Sequence, residues 1–444
     1  MESSSENHSG KVNKNVNLAG KVSRDLILSI LAIVIYNGVL QLLIYPGLNA
    51  RMGAEAFGTV LYFISAVSIM GAGFGTSASY SRIVARKERA EANGDYNAFL
   101  GIVAVICVPV SIGVVMLAVR PESGTAGYTR DAWLTAGLFV LMVITVVRYY
   151  CDVEYRMNIR FKDYFLFFIS VAAGYILGLI IFDIFSGVTQ GDGYGGFGSP
   201  SSYGWLFVLL LGEMFGILYT IIRGSILRPP FFERSVAFKD NLKAAFYISL
   251  GNVISALILN ADRILLRIFT GAEEVTVYYV ASLMGKIVAL LTTPLNGIII
   301  SYLAGYKIRL DKRKFLLSSA VLLAVTAVLT VVCTSASYVF VKIMYPDVFA
   351  RAKEYFLIAN LGQLLYFLSG TLMVVVLSFS DEKLQMIINC IYAAAFAIVV
   401  IPVTVFMGIS GMAYGLVLVN SLRFLVTVIL GLYQLSQERA SSEG

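Results

Sequence analysis

The chain has 444 residues, 58% of them hydrophobic and only 14% charged, with a formal net charge of +7 and a mean hydropathy of +0.80. A typical soluble globular chain is about 45–50% apolar and about 25% charged, so too little polar surface is available here to cover a water-soluble globule. The composition describes an integral membrane protein and excludes soluble, nucleic-acid-binding and disulfide-scaffold classes.

In chain order, a polar tail precedes the first apolar run, Leu26 to Pro46, which is too long for the 7–15-residue core of a cleavable signal and reads as an uncleaved span. The only histidine, His8, lies in that tail, so the folded body is expected to hold no imidazole for base or metal chemistry. Twelve candidate spans follow from hydropathy: 26–46, 57–80, 98–119, 131–150, 163–186, 203–223, 244–266, 275–304, 315–341, 355–379, 384–406 and 409–433. Cys107, Cys151, Cys333 and Cys390 are widely spaced and show no zinc or redox pattern. Neither a metal nor a cofactor is expected.

Sorting the basic residues by side tests the span count. With the N-terminus inside, alternate loops hold 24 of the 34 Lys and Arg, external segments hold 8, and Lys286 and Arg423 fall inside spans. That threefold excess predicts an N-in, C-in, multi-pass protein. The external loop Gly187 to Ser202, rich in Gly and Ser, reads as a flexible connector. The cytoplasmic stretch 224–243 mixes Phe with charges around Pro229 and Pro230, which suits an amphipathic helix on the inner leaflet. It divides the chain into a tail (1–24), a six-helix lobe (25–223), a linker (224–243), a second six-helix lobe (244–433) and a tail (434–444).

An internal repeat supports the division. At an offset of 218, Gly53, Ala54 and Glu55 fall on Gly271, Ala272 and Glu273, each after the first span of its half. Both halves begin on the same side, so the repeats are parallel.

Two patterns stand out: Tyr45-Pro46 with Arg51, Gly53, Glu55 and Phe57-Gly58, and Asn260 to Leu266 with Val275, Tyr278 and Pro294. In them the chain resembles the polysaccharide transport branch of the multidrug/oligosaccharidyl-lipid/polysaccharide flippase superfamily, the O-antigen and exopolysaccharide repeat-unit flippases. The resemblance implies an all-α fold of twelve transmembrane helices in two six-helix lobes forming a V around a central cavity. It also implies a cargo of undecaprenyl-diphosphate-linked oligosaccharide, moved from the cytoplasmic to the outer leaflet of the bacterial inner membrane. Membrane lipids, and a polymerase and chain-length regulator of the same pathway, are the partners it suggests; a nucleic acid is not.

Ionisable residues inside spans carry the chemistry, because each costs roughly 2.5–3.5 kcal/mol at mid-membrane and so needs a partner or water. Glu213 and Lys286 sit roughly 15 and 16 Å into their spans at 1.5 Å per residue. They can pair with each other across a cavity or line it separately. Glu213 could couple transport to H+ or Na+, Lys286 could attract a diphosphate, and a structural ion pair is the plain alternative. Arg423 could grip a phosphate bidentately or snorkel to headgroups. Arg263 and Arg267 share a helix face, a repulsion that hints at an anionic partner, while Asp262 points about 100° away from Arg263 and should contact another helix. Arg51 and Asp183 read first as interfacial. Asn37, Gln41, Asn252, Asn260, Gln363, Asn389 and Asn420 could meet sugar hydroxyls or bond helices together.

Three further readings stay open beside the flippase. A multidrug and toxic compound extrusion antiporter would usually hold an acid in its first span, and 26–46 has none. A polysaccharide polymerase fits poorly without histidine or a large external loop, and a passive scaffold leaves the midplane charges unexplained.

Overall fold

The computed structural model describes residues 24, 25, 27–118, 128–188, 203–223, 226, 227, 229–290, 296, 311–377 and 382–443. Among these residues the regular structure is helical, and ten helices are long and apolar enough to cross a membrane. We number the helices α1 Ile27–Met52, α2 Ala54–Arg86, α3 Asn93–Ala118, α4 Ala132–Met157, α5 Phe161–Ile184, α6 Gly204–Arg223, α7 Phe238–Phe269, α8 Ala272–Leu290, α9 Lys312–Met344, α10 Phe349–Leu377 and α11 Leu384–Gln437. The chain is a multi-pass, all-α membrane protein.

Eight of the expected spans map one to one onto α1 to α7 and α9, and the tenth onto α10. The eighth span is described only as α8, with the stretch beyond it outside the described residues apart from Asn296. The expected eleventh and twelfth spans meet within α11 at Gly408, whose φ of +58° breaks the helix. The chain reverses there: a Cβ on Gly411 would lie 2.1 Å from the Val403 carbonyl oxygen. The polar tail with His8, and most of the Gly-rich loop, 189–202, also lie outside the described residues.

By its internal contacts the chain divides into two compact units. Unit 1 comprises residues up to Tyr45, Val67–Val115 and Ser123–Ala256; unit 2 comprises Pro46–Ala66, Met116–Glu122 and the chain from Leu257. The division therefore runs through α1, α2, α3 and α7.

In unit 1, α5 and α6 pack most closely, where small residues let backbones approach: a Cβ on Gly174 would sit 2.8 Å from the Gly212 Cα. One end of this unit is bound together by charge. Arg82 contacts Glu91 at 2.8 Å, the Tyr150 hydroxyl at 2.5 Å and Asn93 at 2.6 Å, while Arg86 reaches Glu154 at 3.0 Å. Of the stretch 224–243 expected as an amphipathic helix, 238–243 open α7, whereas 229–237 are bends, turns and irregular backbone. Two consecutive prolines remove backbone donors at its start, and the segment finds its hydrogen bonds on α3: the Ser235 N–H and hydroxyl donate to Asp95 at 3.0 and 2.6 Å.

Unit 2 has an apolar core in which Leu368, Leu372 and Val376 of α10 meet Phe315 of α9 and Phe424 of α11. Asn360, fully buried on α10, ties three helices together. Its Oδ1 accepts from the Gly285 N–H of α8 at 2.6 Å, and its Nδ2 donates to the Ala281 carbonyl of α8 at 3.2 Å and the Ser337 hydroxyl of α9 at 3.1 Å. In a bilayer core such an amide has no water to fall back on.

The repeated Gly-Ala-Glu has a structural meaning. Gly53 and Gly271 both have positive φ, +78° and +134°, a backbone conformation that favours glycine, and each ends one helix and starts the next. Both turns belong to unit 2 and touch: the Thr276 hydroxyl donates to the Ala54 carbonyl at 2.6 Å. Beside them, a Cβ on Gly58 would fall 1.7 Å from the Ala272 carbonyl oxygen. Gly58→Ala is therefore expected to destabilise the purified protein by about 1–3 kcal/mol, as overpacking does. Gly101→Ala, with open space around its Cβ, is the control, and equal thermal unfolding of the two variants would refute the contact.

Candidate functional site

Two buried ion pairs organise the interior, one in each unit. In unit 1, Glu213 on α6 lies 2.6 Å from the Nε of Arg148 on α4, with the side chains 5% and 4% exposed. The contact is close but off the hydrogen-bond direction. Tyr175 completes the carboxylate by donating its hydroxyl to Oε1 at 2.8 Å. The guanidinium lies over the Tyr149 ring at 4.2 Å and the Tyr36 ring at 5.3 Å. A cation buried among aromatic faces gains from their quadrupoles.

Arg148, two residues before the end of the expected fourth span at Tyr150, was counted with the cytoplasmic loop that follows. The helix continues to Met157, so Arg148 is an interior residue and the basic excess becomes 23 against 8. The readable signal was the acid: a lone Glu213 at mid-span demands a cation, and Arg148 lies within the expected fourth span, 131–150.

In unit 2, Lys286 on α8 donates to Asp262 Oδ2 on α7 at 2.6 Å, and the Asp262 side chain is 5% exposed. Asp262 thus meets another helix, while its Oδ1 accepts the backbone N–H of Arg263 at 2.9 Å. Glu213 and Lys286 each have a partner within their own unit. The Arg263 guanidinium stacks 5.1 Å from the Tyr279 ring and donates to the Ser65 hydroxyl at 3.3 Å. Arg267, one turn on, donates to the Ala118 carbonyl. Arg51 donates to the Gly47 carbonyl of its own helix, and Asp183 is exposed.

A small cavity of about 20 Å³ is lined in part by Asp262. Its polar lining is Gln363 and Tyr366 of α10, Tyr392 and Asn420 of α11, and Asp262. The Arg423 guanidinium lies over both tyrosine rings, at 4.7 Å from Tyr366 and 4.8 Å from Tyr392. Its Nη2 reaches Asn389 at 3.4 Å, while Nε and Nη1 are buried and have no hydrogen-bond partner. The Asn420 Oδ1 is likewise unfilled, its amide nitrogen being bonded to the Gly362 carbonyl at 2.9 Å. A buried guanidinium with two open donors is costly unless an acceptor arrives. Of the seven polar span residues singled out by sequence, Gln363, Asn389 and Asn420 gather here; Asn37 bonds its own helix at the Ile33 carbonyl, and Asn252 bonds Ser77. Among the described residues no group of three or more His, Cys, Asp or Glu is placed to hold a metal ion.

No sequence-family model matches the chain, and no curated protein matches it by sequence. Solved structures do match. A multidrug resistance MATE family transporter of the MOP superfamily in its inward-facing conformation superposes with a TM-score of 0.55 at 15% identity, over 94% of this chain and 96% of the other. A MATE protein in the straight conformation gives 0.53 at 15% identity, over 95% and 96%. This is the MATE fold. The outward-facing MATE family transporter agrees, at 0.52 and 16% identity over 94% and 96%. At these identities the likeness describes architecture along nearly the whole chain and leaves the chemistry to its own residues.

Proposed function

We propose that this protein is a secondary transporter that works by alternating access and carries a cargo with an anionic headgroup, the undecaprenyl-diphosphate-linked oligosaccharide repeat unit of the O-antigen or exopolysaccharide type. In this reading twelve helices cross the bacterial inner membrane, both termini are cytoplasmic, and the cargo moves to the outer leaflet. The observation that supports it is the charge around the unit 2 cavity. Lys286 pairs with its one acid, Asp262, Arg263 follows that acid in the chain, and Arg423 lies over two of the cavity's tyrosines with two donors open. Guanidinium groups match phosphate oxygens two at a time, and Tyr366 and Tyr392 offer faces on which sugar rings stack. Coupling to H+ or Na+ falls to Glu213 or Asp262, each of which must exchange a paired cation for a proton or ion.

The fold likeness to MATE transporters favours a second reading, a drug/cation antiporter, and weighs against a polysaccharide polymerase. A net cationic cavity suits organic cations poorly. Proteoliposomes decide between them: gradient-dependent movement of a fluorescent lipid-diphosphate-oligosaccharide is expected, and efflux of an organic cation with no lipid movement would overturn the proposal. Arg423→Ala should raise the KM for the lipid at least about tenfold, the effect of losing a charge-assisted contact of 1.5–3 kcal/mol. Unchanged KM in a normally folded variant would remove Arg423 from the site.

A further inference from the structure

The connector between α6 and α7 is tied to the body at a particular depth. The Asn97 amide donates to the Phe231 carbonyl at 2.8 Å, and the Gly94 N–H donates to the Glu233 carbonyl at 2.9 Å. Asp95 holds Ser235, and the Asn241 amide donates to both Asp95 and the Ala90 carbonyl at 2.9 Å. Asn97 is the residue before the apolar run of α3, which starts at Ala98, so it marks where the helix enters the hydrocarbon core. Phe231 is therefore held at the hydrocarbon boundary.

The side chains that this anchorage leaves outward are the wrong ones for water. Phe232 is 89% exposed and Val236 is 99% exposed. Along α7, Lys243, Tyr247, Leu250 and Ile254 are exposed at helical spacing, so one face runs from charge to aromatic to aliphatic, as a helix does where it enters lipid. The Lys243 ammonium lies 5.8 Å from the Tyr247 ring, and the Arg234 guanidinium 4.7 Å from the Phe238 ring. Arg234, Lys239 and Lys243 are exposed, as are the acids Glu233 and Asp240. Residues 223–243 carry five basic and two acidic groups.

We propose that residues 231–243 form an interfacial anchor that binds anionic phospholipid, with Phe232 and Val236 in the acyl boundary and Arg234, Lys239 and Lys243 on the phosphates. It needs no helix. The segment is shaped by its hydrogen bonds to α3 and the start of α7, which present the apolar pair at a fixed depth, and apolar insertion plus basic flanks is the combination that holds a segment at a membrane surface. The inference stands on the membrane fold and is independent of the cargo.

The test is Phe232→Trp in a Trp133→Phe background, which leaves the buried Trp205 as the internal reference. The protein is reconstituted in vesicles of phosphatidylglycerol and phosphatidylethanolamine, or of phosphatidylcholine alone, with or without shallow brominated acyl chains. A blue-shifted emission quenched about twofold by brominated lipid is expected, with little quenching by iodide. Replacing Arg234, Lys239 and Lys243 by serine should reduce the lipid quenching in the anionic vesicles and leave it unchanged in phosphatidylcholine. Water-like emission open to iodide overturns the anchor. Equal lipid quenching in both vesicle types, unaffected by the serine variant, overturns its preference for anionic lipid. A blue shift that grows with protein density and ignores brominated lipid assigns the face to a second copy of the chain and also overturns the proposal.

Discussion

Replacing Arg148 with methionine is expected to destabilise the protein by about 3–5 kcal/mol, because removing one partner of a buried pair strands the other charge. Glu213 would keep one hydrogen bond, from Tyr175 at 2.8 Å, in a site where its side chain is 5% exposed. The methionine itself packs well among Tyr36 and Tyr149, so the loss reports the carboxylate and not a cavity. A double variant, Arg148→Met with Glu213→Leu, removes both charges and should regain most of the stability, since apolar replacement of a whole buried pair is often neutral or favourable. Thermal unfolding of the purified proteins measures both effects. A loss below about 1 kcal/mol in the single variant would mean that water reaches the pair.

The double variant also separates two roles. If the pair only holds α4 to α6, the repaired protein transports as before. If Glu213 couples transport to an ion gradient, the repaired protein is stable yet uncoupled, and the ion dependence of transport disappears. We expect the second result. Glu213→Gln should show the same change in ion dependence with a smaller effect on stability, because the amide still accepts from Tyr175.

Much of this architecture is legible in the sequence for a physical reason: the bilayer enforces long apolar helices, so hydropathy alone locates them. The reversal at Gly408 falls between the two spans drawn on either side of it, and the repeated Gly-Ala-Glu marks two turns with the same unusual backbone. Partners were harder to read. Asp262 was expected to meet another helix, but nothing in its neighbourhood names Lys286, 24 residues away on α8. Arg148 was hidden by its flank: Tyr149 and Tyr150 resemble an interfacial belt, and the belt is where a span is taken to end. The aromatic run instead packs inward, with the Tyr150 hydroxyl accepting from the Arg82 guanidinium. Asn360 went unremarked because one asparagine in an apolar span gives no sign that it bonds three helices. The connector 229–237 has a composition that suits a surface helix, yet its backbone groups are taken by Asp95, Gly94 and Asn97. Composition reports where a segment lies in the membrane profile, whereas its conformation depends on which donors and acceptors it meets.

Charge at the unit 2 cavity gives the sharpest test of the cargo, as a graded series. Asp262 is the one acid lining the cavity and Lys286 is its partner, so Asp262→Asn raises the local charge by one, Lys286→Met lowers it by one, and Lys286→Glu lowers it by two. One unit charge at about 8 Å in an effective dielectric of about 20 is worth about 2 kcal/mol, or roughly thirtyfold in affinity. For an anionic headgroup the KM should therefore fall in Asp262→Asn, rise in Lys286→Met, and in Lys286→Glu rise beyond measurement. Lys286→Glu also sets two carboxylates against each other where the native pair stands at 2.6 Å, so part of its effect is on folding. Asp262→Asn has one oxygen where the carboxylate has two, so it serves either the Arg263 N–H or Lys286; that cost falls on stability, and KM is read on the folded protein. This variant is the decisive member of the series: a lower KM for lipid diphosphate, diminishing as salt screens the site, is the result expected. A higher KM in Asp262→Asn, with organic-cation efflux gained in Lys286→Glu, would reverse the sign of the cargo and select the antiporter.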